Sequence, residues 1–116
     1  MIDAELYRVF HIVGSLGTIS AAALELHVSQ PAVTKSVKKL EDLTGCTLFI
    51  RSSKGVSLTT EGRILFDYVK NGFEHLQNGE QVIRKIRSRE HGLVKVGISN
   101  TLCKYYFIQS KRQRTS

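Results

Sequence analysis

A mainly helical fold with one small two-stranded sheet is predicted by three features of the chain. Apolar residues recur at helical spacing up to about residue 45, a short β-prone run breaks at a turn over 52–55, and a heptad-like pattern extends from about residue 60 to 90. With 116 residues and 41% apolar composition, the chain has the material for one small core.

The first helix is expected to be capped by Asp3, with Leu6, Val9, Phe10 and Val13 at i, i+3, i+4 and i+7 and with Gly14 and Gly17 ending it. Its expected role is scaffold. In a second, short helix Ala22, Ala23 and Leu26 share a face, and the two alanines are small enough for another helix to cross close to the backbone. His27 and Val28 break that pattern. Ser29 then offers a hydroxyl to a free first-turn amide, and Pro31 sits where the missing N–H sacrifices no intrahelical bond, so a third helix starts there. Val33, Val37, Leu40 and Leu43 supply its expected buried face at i, i+4, i+7 and i+10.

Two helices joined by a tight turn, the second opening with Ser29-Gln30-Pro31, form the pattern of a helix-turn-helix, whose second helix enters a groove of DNA. Its outward face is short, polar and basic: Gln30, Thr34, Lys35 and Lys38. Such a face is by itself compatible with ordinary solvated surface. Its chemistry also suits bases. Gln30 can pair bidentately with adenine, Thr34 can touch a thymine methyl and Lys35 can reach guanine or phosphate, all from a helix end whose dipole favours phosphate.

Beyond Gly45, the run Thr47-Leu48-Phe49-Ile50-Arg51 is β-prone, Ser52 to Gly55 reads as a turn, and Val56-Ser57-Leu58 alternates back. A two-stranded wing is the expectation. Arg51 and Lys54 fall at its tip, where a hairpin so short has little core of its own, and they suit phosphate or the minor groove; a solvated, unpaired Arg is the alternative.

From Thr59 or Thr60, either of which can cap, a helical pattern runs to about Arg89, a length of about 45 Å. Leu65, Val69, Gly72, Leu76, Gly79, Ile83 and Ile86 are spaced 4, 3, 4, 3, 4 and 3 residues apart, the repeat that keeps a seam facing a partner helix. Dimerisation through this seam is expected, over a helix packed wholly within its own subunit. Glycine at two seam positions costs about 1 kcal/mol each in propensity, so the helices approach closely there or the helix bends. Phe66 and Phe73 form a second stripe, available to cover the wing or the first helix. A dimer would place two reading helices about 34 Å apart, or a multiple of it, and so predicts inverted half-sites in double-stranded DNA, with higher oligomers allowed.

The formal net charge of +7 is weaker evidence than it looks, because Lys95, Lys104, Lys111, Arg112 and Arg114 stand among no acidic residue and leave only +2 over residues 1 to 90. The useful signal is local. Residues 30 to 54 hold Lys35, Lys38, Lys39, Arg51 and Lys54 against Glu41 and Asp42. Cys46 and Cys103 lack CxxC spacing, and His11, His27, His75 and His91 show no metal-site pairing, so reduced thiols, no metal and no cofactor are expected. No apolar window approaches the length of a membrane span, which suggests a cytoplasmic protein with no membrane partner. Paired carboxylates in an apolar setting, nucleophile–base spacings and phosphate-cradling glycine loops are all missing from the sequence, which argues against an enzyme.

Together these blocks resemble the N-terminal part of a LysR-type transcriptional regulator over about Leu6 to Ser99. The likeness is carried by Ala22, Ala23 and Leu26, the HVSQPAVTKSVKKLE block, Gly45 with Leu48-Phe49-Ile50-Arg51, and Gly55, Leu58, Thr59 and Gly62. The resemblance implies a winged helix-turn-helix over 1–59, a linker and dimerisation helix over 60–90, and the remnant of a first effector-domain strand with a basic tail over 91–116. It implies DNA contacts by Ser29, Gln30, Pro31, Thr34 and Lys35 and wing contacts by Arg51 and Lys54. Thr34 stands where the family often has serine, and Ile19 where an aromatic is common. Leu93 to Ser99 resembles the first effector-domain strand, but only seventeen residues follow Ser99. A regulator lacking the effector domain and its small-molecule inducer site is therefore expected, binding DNA constitutively or competing with full-length relatives. A different class of function is an interaction module that hetero-dimerises with intact regulators without reading DNA itself. The KRQR cluster of the tail adds nonspecific phosphate affinity or is simply solvated.

Overall fold

The computed structural model describes residues 1–90 of the chain. Their elements run α1 (Ala4–Leu16), α2 (Ile19–Leu26), α3 (Gln30–Thr44), β1 (Phe49–Ser52), β2 (Gly55–Leu58) and α4 (Thr60–Glu90), which is the predicted winged helix-turn-helix with a long final helix. The expected strand at Leu93 to Ser99 and the basic tail lie outside the described residues. Two compact units divide at His75 and Leu76, and α4 begins in the first and continues into the second.

Each helix starts where a short polar side chain can accept a first-turn amide. The Asp3 carboxylate accepts from the amide of Glu5, the Thr18 hydroxyl from Ala21, the Ser29 hydroxyl from Ala32, and the Thr59 hydroxyl from Gly62. Thr59, not Thr60, is thus the cap of α4. Gly17 and Gly45 close α1 and α3, each sending its amide back to the fourth residue before it.

The core of the first unit gathers one face of each helix: Val9, Phe10 and Val13 from α1, Ala22 and Ala23 from α2, and Val33, Val37 and Leu40 from α3. Leu48 and Phe49 close it from the wing side. Phe10, 0% exposed, is its centre, tilted against Phe49 at 5.3 Å and edge-on to Phe66 of α4 at 6.2 Å. Truncating it to alanine would cost about 3–5 kcal/mol, a large part of a small domain's stability.

Two sequence expectations are corrected here. Gly14 does not end α1 but lies inside it, and its missing side chain makes room for the Phe66 ring, whose edge would stand 2.8 Å from a Cβ at that position. Leu43 is not part of the buried face of α3 but 55% exposed. At 3.6 residues per turn it lies about 80° round the helix from Val33, beyond the stripe shared by Val33, Val37 and Leu40.

The wing is an antiparallel hairpin in the register Phe49 to Leu58 and Arg51 to Val56, joined by the two-residue turn Ser53-Lys54. It is short but tied on both sides. The amide of Val56 donates to the carbonyl of Gly17 at 2.9 Å, fastening β2 to the corner between α1 and α2. Gly55 adopts a φ of 127°, open to glycine, with its α-carbon so near the Gly17 carbonyl that any side chain would collide with it. On the other side the hydroxyl of Thr59 donates to the carbonyl of Thr47 at 2.7 Å, and its amide to that of Leu48 at 3.0 Å. Gly62 is buried directly against that same Leu48 carbonyl, with no space for a Cβ.

Candidate nucleic-acid interface

Three apolar side chains orient α3. With Val33, Val37 and Leu40 turned into the core, Ser29, Gln30, Pro31, Lys35 and Lys38 are exposed and Thr34 is half-buried between the two faces. The turn before it is set by His27, which adopts the left-handed conformation (φ 57°) and sends its amide back to Ala23 and Leu24. This reversal brings the helix start out of α2 and into solvent. Ser29 spends its hydroxyl on the cap, accepting from Ala32 at 3.2 Å, so the site uses it first to build the helix end.

Arg51 and Lys54 are exposed on the wing and line one shallow depression with Ser52, Ser53, Gly55, Thr18 and Ile19. The N-terminal cap of α2 and the wing tip thus share one surface. Thr18 was not among the sequence candidates, although a threonine before an alanine-rich helical run carries the cap signal. No hydrogen bond or ion pair among the described residues joins the α3 group directly to the wing cations. Among those residues the ion pairs are Arg8 with Glu5 and Arg63 with Asp67, which leaves Lys35, Lys38, Arg51 and Lys54 without a carboxylate partner. Their charge is available to an external anion.

Glu41, near the C-terminal end of α3, also escaped the sequence reading. Its Oε2 accepts from the amide of Leu48 at 2.7 Å and from that of Phe49 at 3.4 Å. A carboxylate counted only as charge is therefore the polar tie between α3 and the start of the wing.

The residues expected to form a seam along α4 divide by environment. Leu65 and Val69 are half-buried against the core of the first unit, as is Phe66, so the start of the seam also serves the fold. His11 of α1 stacks on Phe66 at 5.2 Å and meets Phe73 edge-on at 5.9 Å, so the second stripe covers the first helix. Gly72 is exposed; in the second unit Leu76 is 64% and Ile83 49% exposed, and Gly79 and Ile86 are half-buried. Among the described residues no group of three or more His, Cys, Asp or Glu side chains could hold a metal ion, and no helix is long and apolar enough to cross a membrane.

A helix-turn-helix with an exposed, basic second helix and an adjoining basic wing defines the class of winged DNA-binding proteins. The family described as bacterial regulatory helix-turn-helix protein, lysR family, matches residues 4–63. The chain belongs to this LysR family of bacterial regulatory helix-turn-helix proteins. It is 39% identical over 95 residues to the HTH-type transcriptional activator AmpR of Rhodobacter capsulatus, which covers 81% of this chain and 32% of that protein. It is 37% identical to the RuBisCO operon transcriptional regulator of Allochromatium vinosum, over 82% of this chain and 32% of that protein. The chain thus spans about a third of the length of these relatives. Among solved structures, the DNA-binding domain of CbnR in complex with DNA superposes with a TM-score of 0.65 at 29% identity, covering 74% of this chain and 99% of that one. The DNA-binding domain of BenM in its benA site 1 complex, at 24% identity and a TM-score of 0.67 over 73% of this chain and 99% of that one, has the same fold.

Proposed function

We propose that this chain is a dimeric, sequence-specific reader of double-stranded DNA with inverted half-sites. The α3 helix lies in the major groove, with Gln30, Pro31, Thr34 and Lys35 at base edges and Ser29 and Lys38 on the flanking backbone. Arg51 and Lys54 grip phosphate or the adjacent minor groove from the wing. Residues 1–59 form the reading domain and residues 60–90 the linker that pairs two copies through Leu65, Val69, Gly72, Leu76, Gly79, Ile83 and Ile86. A protein reading chromosomal DNA in this way works in the cytoplasm.

One observation carries the reading: the polar N-terminal half of α3 stands exposed, anchored from behind by three buried apolar residues, with Lys35, Lys38 and Lys39 of α3 and Arg51 and Lys54 of the wing all unpaired. The likeness to a CbnR domain solved in complex with DNA supports it.

Selection of bound duplexes from a random pool at two salt concentrations tests it. The expected result is an inverted-repeat consensus whose affinity falls steeply with salt, in proportion to the phosphates neutralised. Gln30→Ala is expected to cost about 1–3 kcal/mol and relax preference at one base pair of each half-site, whereas Lys35→Ala weakens binding and lowers the salt slope. Recovery of no consensus would defeat the proposal. If effects on transcription then survived the double replacement of Gln30 and Lys35, the hetero-dimerising module would take its place.

A further inference from the structure

The recognition helix and the wing are stitched together by a single side chain. Glu41 lies one turn before the end of α3, and its Oε2 receives two successive amides, those of Leu48 and Phe49, at 2.7 and 3.4 Å. Among the described residues these are the only hydrogen bonds from α3 to β1 and the residue that leads into it. Leu48 is 1% exposed, so water cannot readily replace the carboxylate at its amide.

The remaining ties on the wing point elsewhere. Val56 holds β2 to the Gly17 carbonyl, and Thr59 holds the residues before β1 to the cap of α4. The apolar packing of Leu48 and Phe49 on the core resists separation but is non-directional. A carboxylate oxygen shared by two consecutive N–H groups adds what packing lacks, a fixed rotation of the strand about the helix end.

From this geometry we infer that Glu41 is a positioning residue for DNA recognition: it holds the wing cations Arg51 and Lys54 at a fixed offset from the base-reading end of α3, so that both contacts form together. The inference rests on the DNA-reading function proposed above and adds a residue that touches no nucleic acid. Without Glu41 the hairpin keeps its anchors on Gly17 and Thr59, but Arg51 no longer meets its phosphate in register with α3.

A double-mutant cycle tests it, with the full chain and the duplex that the wild-type protein selects. Arg51→Ala alone is expected to weaken binding about tenfold, as the loss of one charge-assisted contact. In the Glu41→Ala background, itself about tenfold weaker, Arg51→Ala is expected to cost less than about twofold, because the contact has already been lost. Hydroxyl-radical protection at the wing's flanking position should vanish in Glu41→Ala while major-groove protection of the half-site persists. Glu41→Gln, whose amide oxygen still accepts, should restore most of both; Glu41→Leu, which keeps bulk but accepts nothing, serves as the cycle's second variant if Glu41→Ala does not fold. Penalties that simply multiply, or unchanged flank protection, would show that Glu41 only satisfies buried amides and would overturn the inference. A wild-type protein that selects no duplex refutes the DNA-reading function itself, a result distinct from a failed cycle.

Discussion

Arg8 donates to both carboxylate oxygens of Glu5, one turn earlier in α1, at 3.0 and 2.9 Å. That hydrogen bond, and after it the charge of the guanidinium, holds the Glu5 carboxyl below its ordinary value of 4.5 and raises Arg8 further. A carboxyl whose pKa is depressed on folding stabilises the native state fully above its unfolded value and loses that contribution as the pH falls through the folded one. The pair is exposed, so its contribution is small, present near neutrality and lost along the acid limb. Arg8→Ala is expected to return the Glu5 carboxyl toward 4.5 in an NMR titration, to lower stability slightly near neutrality and to flatten its fall on acidification. At this scale, what the sequence disclosed was local grammar. Asp3 and Ser29 cap amides two or three residues away and were legible as caps, whereas Glu41 reaches across seven and eight residues to backbone groups, which no spacing in the sequence announces.

At the scale of elements, apolar spacing and β-prone runs located the helices and both strands of the described residues, because each buries part of one face on the core of the first unit. It was less exact at the ends of faces. Leu43 satisfied the apolar spacing of α3 but drifted out of the stripe, and Gly14 looked like a terminator when its role is to admit a ring. A repeat of 3.5 residues on α4 could not say which of its members serve the chain's own core, and Leu65 and Val69 do. The exposed continuation through Leu76 and Ile83 is where pairing between copies is to be tested. Leu76→Asp combined with Ile83→Asp is expected to shift sedimentation from dimer to monomer while leaving the circular dichroism and melting of the first unit within about 0.5 kcal/mol of wild type, as for exposed positions remote from a core. A dimer that survives both charges would place the interface elsewhere.

At the scale of the whole molecule, charge is used sparingly where the structure is described. Net charge over residues 1 to 90 is small, and on the proposed reading the five unpaired cations of α3 and the wing carry the electrostatic part of recognition. On the proposed reading, selectivity depends on geometry more than on bulk attraction, and on where α4 would carry a second copy. Its first turns are seated on α1, with the Phe66 ring in the notch at Gly14 and His11 lying flat upon it. The seat of α4 within the first unit is thus set by a helix that supplies none of the proposed base-reading residues, much as a keel steers without touching the shore. Filling the notch with Gly14→Ala pushes the ring aside and should alter the preferred number of base pairs between half-sites in a selection experiment, while each half-site keeps its own letters. Evolution could by that means retune operator architecture with one methyl group.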